Sequence, residues 1–99
     1  MDGRVVFIGE EVTAAGYRLA GAGTVSPAPG EEAAALREAA AQAELILLES
    51  GCAARIPAAE LEPLLWATRP LLLIVPDRDG TMAIPDIAAR VRLQLGVDA

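Results

Sequence analysis

Gly16-Tyr17-Arg18-Leu19-Ala20-Gly21 is the stretch from which the fold of this chain is read. Val12, Ala15, Gly16 and Leu19 recur at three- and four-residue intervals, which predicts a helix with these residues on its buried face and Tyr17 and Arg18 turned away from it. Gly21 is the residue type that takes positive φ just past a helix end, and Gly23 extends the turn. Ahead of the helix, Arg4-Val5-Val6-Phe7-Ile8 runs apolar without alternation into Gly9, the pattern of a parallel strand covered on both faces. A strand, a helix and a glycine stop thus form one unit, and the rest of the chain repeats it.

Outward from that unit, Gly23-Thr24-Val25-Ser26 is a short strand suited to a sheet edge, stopped by Pro27-Ala28-Pro29-Gly30. Residues 31–43 read as a helix with Glu31 and Glu32 in the first turn and Ala33, Leu36, Ala40 and Ala43 facing inward. Glu44-Leu45-Ile46-Leu47-Leu48-Glu49 is again nonalternating and therefore central. Residues 52–66 are less regular. They predict a short turn of helix to Ile56, then a helix with Pro57 at its first position, a bend near Pro63, and Leu61, Leu64 and Leu65 inward. The fourth strand, Pro70 to Pro76, leads to a turn at Asp77-Arg78-Asp79-Gly80. Pro85 and Asp86 then open a last helix carrying Ile87, Val91 and Leu95, stopped by Gly96.

Strands alternating with helices predict an α/β fold, with a four-stranded parallel sheet and right-handed crossovers. The expected strand order is 2-1-3-4, a shortened flavodoxin-like or receiver-like arrangement. The expected organisation is a single domain over residues 1–99, with an α/β core at 1–80 and a C-terminal helix at 84–97 that is free to project.

Composition removes whole classes of mechanism. The net charge is −6, every basic residue is arginine, and the chain holds no lysine and no histidine. Scattered arginines in an acidic chain argue against nucleic acid or anionic lipid as a partner. The missing residue types remove Ser-His pairs, imidazole metal ligands, Schiff bases and a P-loop. A single cysteine precludes an internal disulfide, and the N-terminus passes directly into an apolar strand, so a cytoplasmic location is expected. The longest apolar run is far shorter than the ~20 residues that span a bilayer, so membrane association is expected only through a partner.

In an open parallel sheet, ligands bind at the carboxyl ends of the strands, which directs attention to Gly9, Glu10, Glu11, Glu49, Asp77 and Asp79. Glu10, Glu11 and Glu49 fall where receiver domains hold a divalent ion and a phosphoacceptor, but the lysine of that chemistry does not exist here. Two glutamates after Gly9 also place anions where a pyrophosphate would sit. Asp77 to Gly80 lacks the glutamate that completes a calcium loop, because Ala88 stands at that position. Cys52 reads as a small buried hydrophobe. These residues predict no catalytic residue, cofactor or metal, and leave an interaction module, with a degenerate receiver-like signalling domain as the alternative.

Gly9-Glu10-Glu11-Val12-Thr13-Ala14-Ala15-Gly16-Tyr17-Arg18-Leu19-Ala20-Gly21 also resembles the start of the F subunit of the rotary V-type (A/V-type) ATPases and ATP synthases, whose first strand leads into a G-(F/Y)-R-L-A-G segment. The Val-Pro-Asp turn at 75–77 and the tail Gly96-Val97-Asp98 extend the similarity along nearly the whole chain. The resemblance implies a noncatalytic rotor subunit of the central stalk. It would bind the coiled coil of the stalk's D subunit within the ring of catalytic A and B subunits and help couple ATP chemistry to ion transport. It also implies a partner-binding C-terminal helix, with Ile87, Val91 and Leu95 on the contact face and Arg90 and Arg92 flanking it. The isolated chain is expected to self-associate through that stripe.

Overall fold

The computed structural model describes residues 4–77. The predicted C-terminal helix, with Ile87, Arg90, Val91, Arg92 and Leu95, lies outside the described residues, as does Asp79.

The described chain runs β1 (Val5–Ile8), α1 (Glu11–Leu19), β2 (Gly23–Val25), α2 (Glu32–Ala40), β3 (Leu45–Glu49), α3 (Ser50–Ala53), α4 (Ala58–Trp66) and β4 (Leu71–Val75). All four strands are parallel, in the order β2-β1-β3-β4, as the sequence predicts. Short β2 takes one edge, and the apolar β1 and β3 fill the centre. Pro57 caps α4 rather than occupying its first turn, and Pro63 lies inside that helix.

Side chains of paired parallel strands align in rows, and the two sets of rows have different fates. Val6, Ile46 and Leu72 form one row, and Ile8, Leu48 and Ile74 the next. These pack with Leu36 and Ala39 of α2, Cys52 and Ala53 of α3, Ile56, and Leu61 and Leu65 of α4 into the main core. On the opposite face lie the rows Val5–Leu45–Leu71 and Phe7–Leu47–Leu73. Phe7 is fully buried there, with Tyr17 of α1 stacked on it at a ring separation of 4.3 Å. Away from Phe7 this face is open: Leu71 is 48% and Leu73 41% exposed. The expectation of a sheet covered on both sides therefore fails for β4 among the described residues. An uninterrupted apolar run does not say how many faces are covered.

The first helix requires a second correction. Val12, Ala15, Gly16 and Leu19 are exposed, Leu19 at 91%, while Ala14 is fully buried and Tyr17 half-buried. The helix thus turns its apolar stripe to the outside, the reverse of the expected orientation. Tyr17 marks the inward side, since its ring stacks on the fully buried Phe7 and such an aromatic pair adds to the stabilisation that area alone gives.

The stop at the end of α1 follows the sequence reading. Gly21 has φ 104°, its N–H donates to the Arg18 carbonyl, and the Ala22 N–H donates to the Tyr17 carbonyl. These two bonds satisfy carbonyls that the last helical turn would otherwise leave open.

Candidate functional site

The carboxyl ends of β1, β3 and β4 meet at a cavity of about 370 Å³ whose wall includes Gly9, Glu10, Glu49, Cys52, Arg55 and Asp77. Glu11 and Ser26 also contribute to it, so the fold brings together five of the six residues expected at the strand ends.

Glu49 closes β3 and is only 4% exposed. Its Oε1 accepts a 2.8 Å hydrogen bond from the Glu10 backbone N–H, which fastens the first turn of α1 to β3. Its Oε2 is the one buried side-chain polar atom without a partner among the described residues. A buried, unpaired group of this kind costs on the order of 1–3 kcal/mol, more when it is charged. Gly9 makes the arrangement possible: a Cβ there would lie 2.6 Å from Phe7 Cζ and 2.8 Å from Glu49 Oε1. A methyl group at position 9 would force Phe7 or Glu49 to shift.

The other polar side chains are tied to structure. Arg55 Nε donates to Glu32 Oε2 at 2.7 Å, and its Nη2 lies 3.8 Å from Cys52 Sγ. The Arg55 hydrogen bond holds the Glu32 carboxyl below its ordinary pKa, although Glu32 is only 2% exposed, and Glu32 also accepts from the Gly30 N–H. This buried glutamate was not anticipated, since an acid in a first helical turn normally stays in water. Its partner, Arg55, lies on a different element, which leaves no local signal in the sequence. Burial pushes the Cys52 thiol up, away from the thiolate that a nucleophile requires, as expected for a small buried hydrophobe. Among the described residues no three His, Cys, Asp or Glu side chains gather into a cage for a metal ion.

Tyr17 and Arg18 have internal work. Tyr17 covers Phe7. Arg18 Nε donates to Thr24 Oγ1 at 3.1 Å and its Nη2 to Glu11 Oε2 at 3.0 Å, while the Ser26 hydroxyl donates to Glu11 Oε1 at 3.1 Å. The Arg18 hydrogen bond lowers the Glu11 pKa, with Ser26 adding to it. The network joins α1 to Thr24 of the edge strand β2 and to Ser26 just beyond it, so Arg18 ties the helix to β2 while Tyr17 ties it to β1. On the outer side of the helix Leu19 is 91% exposed, and a Cβ at Gly16 would meet nothing within 4 Å.

Residues 5–91 match the family model for the ATP synthase (F/14-kDa) subunit. The chain belongs to that family. No curated protein matches it. Two features of the described structure are left open: the carboxyl-end cavity, and exposed apolar side chains on the outer stripe of α1 and, separately, on β4. Both lie on elements within the matched residues. Among the described residues no helix is long and apolar enough to cross a membrane.

Proposed function

We propose that this chain is a noncatalytic rotor subunit of a V-type ATPase or ATP synthase, bound to the D subunit in the central stalk. In that position it helps couple ATP hydrolysis or synthesis to ion transport by a membrane sector it does not itself enter. The family match over residues 5–91 carries the reading. The outward apolar stripe of α1 supports it, because Val12 at 62% and Leu19 at 91% exposure leave apolar surface in water that a partner would cover. The lack of lysine and histidine in the whole chain fits a component that transmits force rather than performing chemistry.

The contact with the D subunit is proposed to have two parts. The first is the helical stripe Ile87, Val91 and Leu95, flanked by Arg90 and Arg92, as the resemblance implies. The second is the outer face of α1 at Val12, Gly16 and Leu19. A glycine at the centre of such a face allows close approach of another helix. Without that partner, the same surfaces favour a homodimer.

Co-expression with the cognate D subunit tests the reading, with a stable one-to-one complex on size exclusion as the expected result. Two separate peaks at micromolar concentrations would overturn it. Phosphorylation from a small phosphodonor with magnesium, lost in Glu49→Gln, would instead favour the signalling alternative.

A further inference from the structure

We propose that the cavity at the carboxyl ends of β1, β3 and β4 receives a basic side chain, an arginine or lysine, from a partner chain, with Glu49 as its anchor. Glu49 Oε2 is buried and unpartnered, while Oε1 is held in place by the Glu10 N–H. One carboxylate oxygen is thus fixed in position with its hydrogen-bonding capacity unused. Glu10, Glu11 and Asp77 add acidic groups to the same wall. The cation in that wall, Arg55, is already engaged by Glu32 and sits beside Cys52.

The chemistry selects an organic cation over a metal ion. The described carboxylates do not converge into a cage of three or more donors, the arrangement by which protein side chains hold a calcium ion. A guanidinium or ammonium requires only one or two well-placed acceptors and fills more of a cavity of about 370 Å³. Close approach of Gly9 to Glu49 preserves this geometry, since a side chain at position 9 would crowd both Phe7 and Glu49. Insertion of a cation would supply the partner that Oε2 lacks, so docking relieves an unfavourable feature of the free subunit.

The test uses the full-length chain, labelled for amide NMR and titrated with Nα-acetyl-arginine amide and, separately, Nα-acetyl-lysine amide at millimolar concentrations. The expected result is saturable shifts at the amides of Gly9, Glu10, Gly51 and Asp77 with at least one probe. The binding should be weakened roughly tenfold or more in Glu49→Gln and unchanged in Glu38→Gln. The isosteric Gln keeps an acceptor for the Glu10 N–H, so the variant is expected to fold. Absence of saturable shifts, equal binding by Glu49→Gln, or the same pattern with magnesium chloride alone would overturn the proposal. So would binding that emerges only in Arg78→Gln, because the cation would then come from this chain. The inference rests on the reading of the chain as a docked subunit, yet the titration contains no D subunit. Probe binding without complex formation would count against that reading alone, and complex formation without probe binding against the cavity alone.

Discussion

On one face of the sheet Ile8, Ile46, Leu48 and Leu72 are sealed beneath α2, α3 and α4, whereas on the other Leu71 and Leu73 are 48% and 41% exposed beside α1. The strands supplying both faces are equally apolar, so hydrophobicity does not separate a closed core from a face left open. Among the described residues, what differs is the number of helices that the connections deliver to each side. Right-handed crossovers send the helix between β1 and β2 to one face and those leading to β3 and β4 to the other. The closed face supplies folding stability. The open face carries apolar side chains that remain partly in water.

Truncation on the two faces should therefore have unequal effects. Leu48→Ala removes a fully buried side chain at the centre of the closed face and is expected to cost about 2–5 kcal/mol. Leu73→Ala, one strand over on the open face, should cost about 1 kcal/mol or less. Urea unfolding of the isolated protein measures both, and equal losses would erase the distinction between the faces.

A smaller effect tests what locks the helices onto the closed face. Glu32 on α2 is paired with Arg55, in the segment between α3 and α4, and has a folded pKa below the ordinary 4.5. A group that holds its proton less tightly when folded contributes stability above its unfolded pKa and loses it as pH falls through the folded value. The urea midpoint is thus expected to be flat near neutrality and to drop below about pH 4.5, more shallowly in Glu32→Gln than in the parent. An identical acid limb in the variant would show that the pair does not report on this contact. Glu11 acts in the same direction through Arg18 but is exposed, so added salt should screen its part.

The sequence disclosed the closed face better than the open one, for physical reasons. Strand runs, the glycine stop at Gly21 and the 2-1-3-4 order follow from local pattern and crossover handedness, and all are present. The orientation of α1 was not legible, because periodicity defines a stripe without saying which way it points. The inward contact, Tyr17 on Phe7, joins residues that no local rule links. Burial of Glu32 was hidden for the same reason, its partner lying well downstream at Arg55. The carboxyl-end cavity was legible in its residues, since strand ends can be read from sequence. The orphaned oxygen of Glu49 was not, because it depends on which hydrogen bonds the carboxylate makes in three dimensions.

On the open side, Gly16 permits a prediction of opposite sign. It lies inside α1, and a Cβ there would meet no atom of the described domain within 4 Å. Gly16→Ala should therefore stabilise the isolated protein by about 0.5–1 kcal/mol, the ordinary gain from replacing glycine in a helix. If a partner helix approaches closely at this point, the same methyl group should weaken the complex. A gain in stability with unchanged binding to the D subunit would remove Gly16 from the interface.

The smallest expected change in stability belongs to the outermost residues of that stripe, Val12 and Leu19. With 62% and 91% of their surface already in water, the double substitution Val12→Ser and Leu19→Ser should move the unfolding free energy by about 0.5 kcal/mol or less. Serine is a weaker helix former than leucine, so any change should be a slight loss. Leu48→Ala provides the opposite control, since it damages the core without altering this surface. If the stripe meets the D subunit, the serine variant should melt like the parent yet dissociate from the partner at a much higher concentration. A variant that retains parental affinity would move the interface away from α1, leaving the open leucines of β4 or the C-terminal segment to form it.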